Sequence, residues 1–302
     1  MKSPRSAPTA ALLLAAAWLP TVGVAPASGQ APGDAAGDTA AAAGDRPEPS
    51  VEAVRRRGRI AIDGRLAESA WRRAPSAGSF VQAEPVEGAE PERSTEVRVL
   101  YDDEALYVGA RMHDDPSAVA DQLVRRDGLG QYDHFEVLLD PNRDGQRGYL
   151  FRVGASGVEL DAYVFRDVRM DLDWDAVWRS AVHRDSAGWS AEMRIPLSQI
   201  RYESRDTAQA WGVNFERRRV ASASVSHFSL VSRTVEGLVS QAGRLTGLVL
   251  TESEPRLELV PFVAGQLFTA PAGPDDPFFD GSETEARAGL NARYGVGSNF
   301  SL

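Results

Sequence analysis

The stretch Thr95-Glu96-Val97-Arg98-Val99-Leu100-Tyr101-Asp102-Asp103-Glu104-Ala105-Leu106-Tyr107-Val108-Gly109-Ala110-Arg111 decides the fold class. From Thr95 to Tyr101 the residues alternate with a period of two, so Val97, Val99 and Tyr101 share one face of an extended strand. Asp102-Asp103 turns the chain, and Ala105–Arg111 returns as a hairpin partner. Similar runs follow at His134–Leu139, Tyr149–Val153, Val158–Phe165, Ala176–His183, Trp189–Ile195 and Trp211–Arg219, separated by Asp, Gly, Asn and Pro turns. Upstream, Arg59–Ile62 reads as another strand that enters the Asp63-Gly64 turn. Helical character is confined to Leu66–Trp71 and to one turn at Pro196–Ile200. Short antiparallel strands at this spacing predict an all-β chain, an antiparallel β-sandwich of jelly-roll type.

Composition narrows the function classes. The chain has 302 residues, 43% of them hydrophobic and 25% charged, which suffices for a sizeable core. Acids outnumber bases 43 to 33, and Lys2 is the only lysine. An acidic chain of this kind is a poor candidate for nucleic-acid binding. With no cysteine there are no disulfides, no thiolate nucleophile and no Cys-ligated zinc.

Residues 1–29 read as a secretory signal. Lys2 and Arg5 precede an apolar run at Ala10–Leu19, and the small residues Ala27 and Gly29 offer a cleavage site. Residues 30–50, with no aromatic side chain, form a linker that cannot bury enough surface to order itself. The sandwich is expected over 51–252. After Thr251 the alternation lengthens, at Arg256–Gln266, Ala286–Tyr294 and Asn299–Leu302. Residues 253–302 therefore read as the opening of a further β domain, cut off in mid-strand, since an unpaired apolar edge is avoided in natural sheets.

Catalytic motifs are sparse. The histidines His113, His134, His183 and His227 are scattered, without helical metal spacing, and no HExxH, GxSxG, GxGxxG or P-loop occurs. Paired carboxylates suited to glycoside hydrolysis are not distinguishable among 43 acids. Asp140-Pro141-Asn142-Arg143-Asp144-Gly145 fits the first half of a calcium loop, with Asp140, Asn142 and Asp144 as ligands. Phe151 stands where the bidentate acid belongs, and Asx-rich hairpin turns have the same letters. Trp174 and Trp178, set among acids, suit a flat platform for a sugar ring, and equally the edge of a core. Arg55-Arg56-Arg57 reads as a solvated linker end, with contact to an anionic lipid or polymer as the alternative.

Several segments in order resemble the family 9 carbohydrate-binding module. They are Ile62–Trp71, Thr95–Asp103, Leu106–Val108, Asp133–Asp140, Phe151–Val153, Gly188–Pro196 and Trp211–Phe215. The resemblance implies a sugar-binding β-sandwich, often with structural calcium, that accompanies polysaccharide-degrading enzymes. Residue by residue, it implies binding roles for Arg152 in the F-R-V strand and Asn214 in the G-x-N strand. Glu216 stands where a binding glutamine is usual, and Tyr132 is the one aromatic near the family's first clamp tryptophan, whose position falls near Gly130. Phe228 is the nearest match to the second clamp. A subgroup of exported bacterial proteins, in which the module precedes an outer-membrane β-barrel-like domain of unknown function, resembles this chain more closely. The expected function is thus non-catalytic recognition of a polysaccharide or oligosaccharide, linked to carbohydrate catabolism, in the periplasm, at the outer membrane or secreted. The alternatives are a periplasmic domain of an outer-membrane barrel with an uptake or assembly role and, third, a glycoside hydrolase.

Overall fold

The computed structural model describes residues 47–203, 205–250, 256–269, 282–296 and 300–301. The expected signal segment and most of the expected linker lie outside these residues. The elements in order are β1 (Ser50–Arg55), β2 (Val81–Glu84), β3 (Thr95–Tyr101), β4 (Ala105–His113), β5 (His134–Asp140), β6 (Gly148–Gly154), β7 (Glu159–Phe165) and β8 (Arg169–Asp171). They continue with β9 (Arg179–Asp185), β10 (Gly188–Pro196), β11 (Arg205–Arg219), β12 (Ser224–His227), β13 (Gly243–Leu250), β14 (Arg256–Thr269), β15 (Ser282–Val296) and β16 (Phe300–Ser301). Two 3-10 turns, Trp71–Arg73 and Leu197–Gln199, are the helical elements among the described residues. The fold is a β-sandwich.

One hydrogen-bonded path runs β8-β7-β6-β5-β11-β13-β1-β3-β4-β10-β9, with β12 and β2 branching from β11. The path folds into two layers at β1. Ser50–Glu52 pair with β13, whereas Ala53–Arg55 pair with β3, both in parallel. All other neighbours in the sandwich are antiparallel. The basic run at Arg55 is therefore the end of an interior strand, and not a solvated linker end. Arg59–Ile62 forms no strand. Its Ile60 and Ile62 join Leu66 against Leu100, Tyr107 and Trp71 on the outer face of the second layer.

The main core lies between the layers. Phe135, Val137 and Leu139 of β5, Phe151 of β6 and Trp211, Val213 and Phe215 of β11 face Val97, Val99, Val108, Trp189 and Met193 from the other layer. A third cluster, Leu138, Leu150, Leu160, Ala162, Val164 and Val239, covers part of the outer face of the first layer. Both faces of β5 are thus covered, which explains why all seven of its residues are buried rather than every second one. A buried ion pair ties the layers together at one end. Arg217 of β11, 2% exposed, donates to Asp114 Oδ2 at 2.7 Å, Ser94 O at 2.9 Å and His113 O at 2.8 Å.

Glu192 of β10, with no exposure, explains the Ile62-Asp63-Gly64 and Trp71 motif. Its Oε2 accepts the backbone N–H groups of Asp63 and Gly64, both at 2.8 Å, and its Oε1 accepts Trp71 Nε1–H at 2.8 Å. Gly64 has φ +82°, and a Cβ there would lie 2.5 Å from the Val182 carbonyl carbon, so both its backbone and its space require glycine. Glu192→Ala leaves three donors unpaired and is expected to cost about 3 kcal/mol. That corresponds to a drop in Tm of roughly 6–12 °C for a domain of this size. A calorimetric Tm within about 2 °C of wild type would show that the carboxylate does not anchor this segment.

Candidate functional site

Strand register collects one charged or polar residue from each of four strands. Arg152 of β6 lies opposite Glu136 of β5, Glu136 opposite Glu216 of β11, and Glu216 opposite His227 of β12. Directly opposed residues put their side chains on one face about 5 Å apart. The four form a transverse row on the face turned away from the core, because Phe135, Val137, Phe151 and Phe215 occupy the core side. His134 stands two residues before Glu136 on this face, and Leu138 two residues after it. The row therefore runs between the Tyr132–His134 end of the face and the apolar cover over Leu138 and Leu150.

Hydrogen bonds hold the row rigid. Arg152 Nε donates to Glu136 Oε2 at 2.7 Å, and Arg152 Nη2 is 2.6 Å from the same oxygen. Glu216 is held from both sides, Oε1 by His134 Nε2 at 3.0 Å and Oε2 by His227 Nε2 at 3.1 Å. Val231 N–H donates to His227 Nδ1 at 3.3 Å, which places the ring proton on Nε2 and makes His227 a donor to Glu216. Burial alone would raise the Glu216 carboxyl, but hydrogen bonds and charge from the two imidazoles reverse this and hold it below the usual range. Glu136 goes the other way. Burial pushes its carboxyl up and the Glu216 charge adds to this, against the pull of Arg152 and His134.

Accessibility divides the roles. The Arg152 and Glu216 side chains are 18% and 23% exposed, whereas Glu136 and His134 are nearly covered. A ligand meets the guanidinium and the carboxylate, and the other groups fix them. Arg218, two residues beyond Glu216, is exposed and has no ion-pair partner among the described residues. His134, Glu136 and Glu216 each bring one possible metal-ligating atom within 4.8 Å of the others. Yet Glu136 already holds Arg152, and Glu216 holds two imidazoles, so the set is organised as a donor–acceptor surface.

The other expected site residues fall elsewhere. Asn214 shares the face but is spent on the backbone. Its Oδ1 accepts Phe215 N–H and Ser229 N–H at 2.9 and 2.8 Å, and its Nδ2 donates to Ser229 O at 2.8 Å. Tyr132 is 2% exposed and donates its hydroxyl to Gly128 O at 2.9 Å, so it walls the site and presents no ring face. Trp174 and Trp178 are not a platform. Trp178 is buried, donates to Asp161 Oδ1 at 3.0 Å and packs edge-on to Phe151, while Trp174 packs against Tyr149 and Phe151 on the core side. Phe228 is likewise a core residue.

The Asp140–Gly145 loop does not fit a calcium ion. Asp140 accepts Asp144 N–H and Gly145 N–H, Asp144 accepts Gln146 N–H, Arg147 N–H and Arg147 Nε, and Asn142 Oδ1 accepts Glu203 N–H. Every side-chain oxygen is turned to an N–H donor, as in an Asx turn.

Glu136 and His227 in the row, and His134 beside it, are the site residues that sequence reasoning missed. The His134-x-Glu136 spacing put two of them on one strand face, but their partners come from strands whose register is not written locally.

The sandwich is the fold of a known class. The profile of the carbohydrate family 9 binding domain-like family matches residues 62–222, and the chain belongs to that family. A family 9 carbohydrate-binding module from Caldicellulosiruptor kristjanssonii, solved in complex with glucose, aligns over 65% of this chain and 94% of its own, with 17% identity and a TM-score of 0.50. A carbohydrate-binding-protein candidate from Bacteroides uniformis ATCC 8492 aligns over 66% and 99%, with 14% identity and a TM-score of 0.50. Likeness at these identities shows the shared fold. No curated protein matches the chain.

The low carboxyl of Glu216 has a consequence for acid stability. A carboxyl depressed by folding adds stability above its unfolded value of about 4.3, and that stability is lost as pH falls below it. Glu136, raised by folding, contributes the opposite slope. Glu216→Gln is therefore expected to flatten the fall of unfolding free energy between about pH 4.3 and pH 2.5. Urea titrations at a series of pH values check this, and an unchanged slope would contradict the depressed carboxyl.

Proposed function

We propose that this chain is an exported, non-catalytic module that binds a polysaccharide or oligosaccharide through the Arg152–Glu136–Glu216 row. The observation that carries the reading is a part-exposed guanidinium and a part-exposed, ionised carboxylate held in one row on a rigid sheet, on either side of Glu136. Sugar hydroxyls both donate and accept, so neighbouring hydroxyls of one ring can accept from Arg152 and donate to Glu216. The family match supports the ligand class. The expected signal at residues 1–29 supports export, and with it a role in carbohydrate catabolism outside the cytoplasm.

Affinity is expected to be weak. Among the described residues each tryptophan is in a core cluster or packed against one, so no indole beside the row adds stacking to its hydrogen bonds. Titration calorimetry with glucose and with cello- and xylo-oligosaccharides should give a Kd on the order of 1 mM. Arg152→Gln should weaken it about tenfold with the fold intact by circular dichroism. No heat from any of these sugars at tens of millimolar would end this reading.

A second reading, a periplasmic head on an outer-membrane barrel with an uptake or assembly role, is favoured by one observation. β14 and β15 form a hairpin in a sheet separate from the sandwich path, closed by β16. Its register puts Pro261 opposite Leu290, Val263 opposite Ala288 and Gly265 opposite Ala286, with Leu267 on the same face. Val263, Leu267 and Leu290 are all exposed. A hairpin of this length with exposed apolar side chains suits a lipid-facing strand pair. Fractionation of the natural protein with outer membrane is the expected result, and recovery wholly in the soluble fraction would remove this reading.

A further inference from the structure

A cavity of about 210 Å³ opens where β1 ends, on the outer face of the second layer. Val54, Ala70 and Leu100 line it with apolar surface, and Arg55, Arg56, Arg57 and Arg73 surround it. Such a concentration of arginine is unexpected on a chain of net charge −10. Two of the four are fixed posts. Arg55 donates to both carboxylate oxygens of Asp103 at 3.0 and 2.8 Å and lies over the Tyr101 ring, 5.2 Å from its centre. Arg56 pairs with Asp102 and lies over the Tyr107 ring at 5.4 Å. The other two are exposed, and neither the Arg57 nor the Arg73 side chain has a hydrogen-bond or ion-pair partner among the described residues.

We propose that this pocket is a phosphate-binding site. Four arginines border the pocket and two of them are paired with Asp103 and Asp102, which leaves two positive charges on the unpartnered pair. A phosphate monoester carries about −1.5 to −2 charge near pH 7 and offers three acceptor oxygens. Each guanidinium fork matches two of those oxygens, and Arg57 and Arg73 supply the net positive charge beside the fixed Arg55 and Arg56 pairs. The apolar floor accommodates the carbon group attached to the phosphate. That group is either a soluble organic moiety or the glycerol of a lipid headgroup, and the phosphate chemistry is common to both. The site is on the opposite outer face from Arg152 and does not depend on glycan binding there.

The test uses the full chain with two probes. Inorganic phosphate is titrated against chloride at matched ionic strength, followed by thermal shift. Phosphatidylcholine vesicles with and without phosphatidylglycerol are then tested by co-sedimentation. Arg57→Gln with Arg73→Gln should weaken whichever probe binds by at least tenfold, while the charge-matched pair Arg169→Gln with Arg179→Gln, both exposed elsewhere, should not. Loss confined to inorganic phosphate identifies a soluble phosphate ligand, and loss confined to anionic vesicles identifies a lipid headgroup. Binding of neither probe, or equal loss in the two double variants, overturns the proposal.

Discussion

The backbone hydrogen bonds of β1 hold the two layers of this sandwich in one continuous sheet. Three residues of that strand belong to one layer and the next three to the other, so the strand forms the corner at which the sheet folds over. Its inward side chains, Val51 and Ala53, are small enough to sit at the fold without pushing the layers apart. The antiparallel arms then extend from it, one to β8 and the other to β9. Two strands from the corner on either side, the Arg217–Asp114 pair links β11 to the end of β4 across the interior. Burying such a pair is costly unless its hydrogen bonds are nearly complete. Arg217 meets that condition with carbonyl oxygens from β4 and the segment before β3.

The charged row obeys the same requirement on the outer face. A carboxylate pair at this separation would repel if both groups were free. Here one is supplied with two imidazoles and the other with a guanidinium, so each carboxylate of the row has its own partners. Rigidity follows from that pairing. A ligand finds the exposed oxygen and nitrogens already aimed, and little side-chain freedom is left to lose on binding.

Much of the architecture was legible locally. The alternation in β3, β4 and β10, and the turns between them, gave sandwich strands close to their observed limits, because those strands bury one face in the main core, whereas β11 begins six residues before the expected Trp211. β1 was not legible. Val51 to Arg55 is short, and its membership depends on two distant parallel partners. Ile60 and Ile62 misled for the opposite reason, since they alternate but satisfy that pattern by lying on another sheet's outer face. Among the site residues, Arg152 and Glu216 were reached through family likeness, and register brings them onto one row. Trp174 and Trp178 looked equally suited to sugar and to core, and only the side of β6 on which they pack separates the two. Asn214 was misread because its partner, the backbone of Ser229, arrives from beyond a strand and a turn.

The parallel seam between β1 and β13 also determines how the domain responds to tension. The chain enters the sandwich near Ser50 and leaves it near Leu250, at opposite ends of two neighbouring strands that run the same way. A pull between those points acts along the strand axes. The hydrogen bonds of the seam are then sheared together rather than unzipped one at a time, and the corner strand resists as a unit. A module joined to flanking segments in this manner can be drawn taut by them while the outer faces, with the charged row and the arginine pocket, keep their shape.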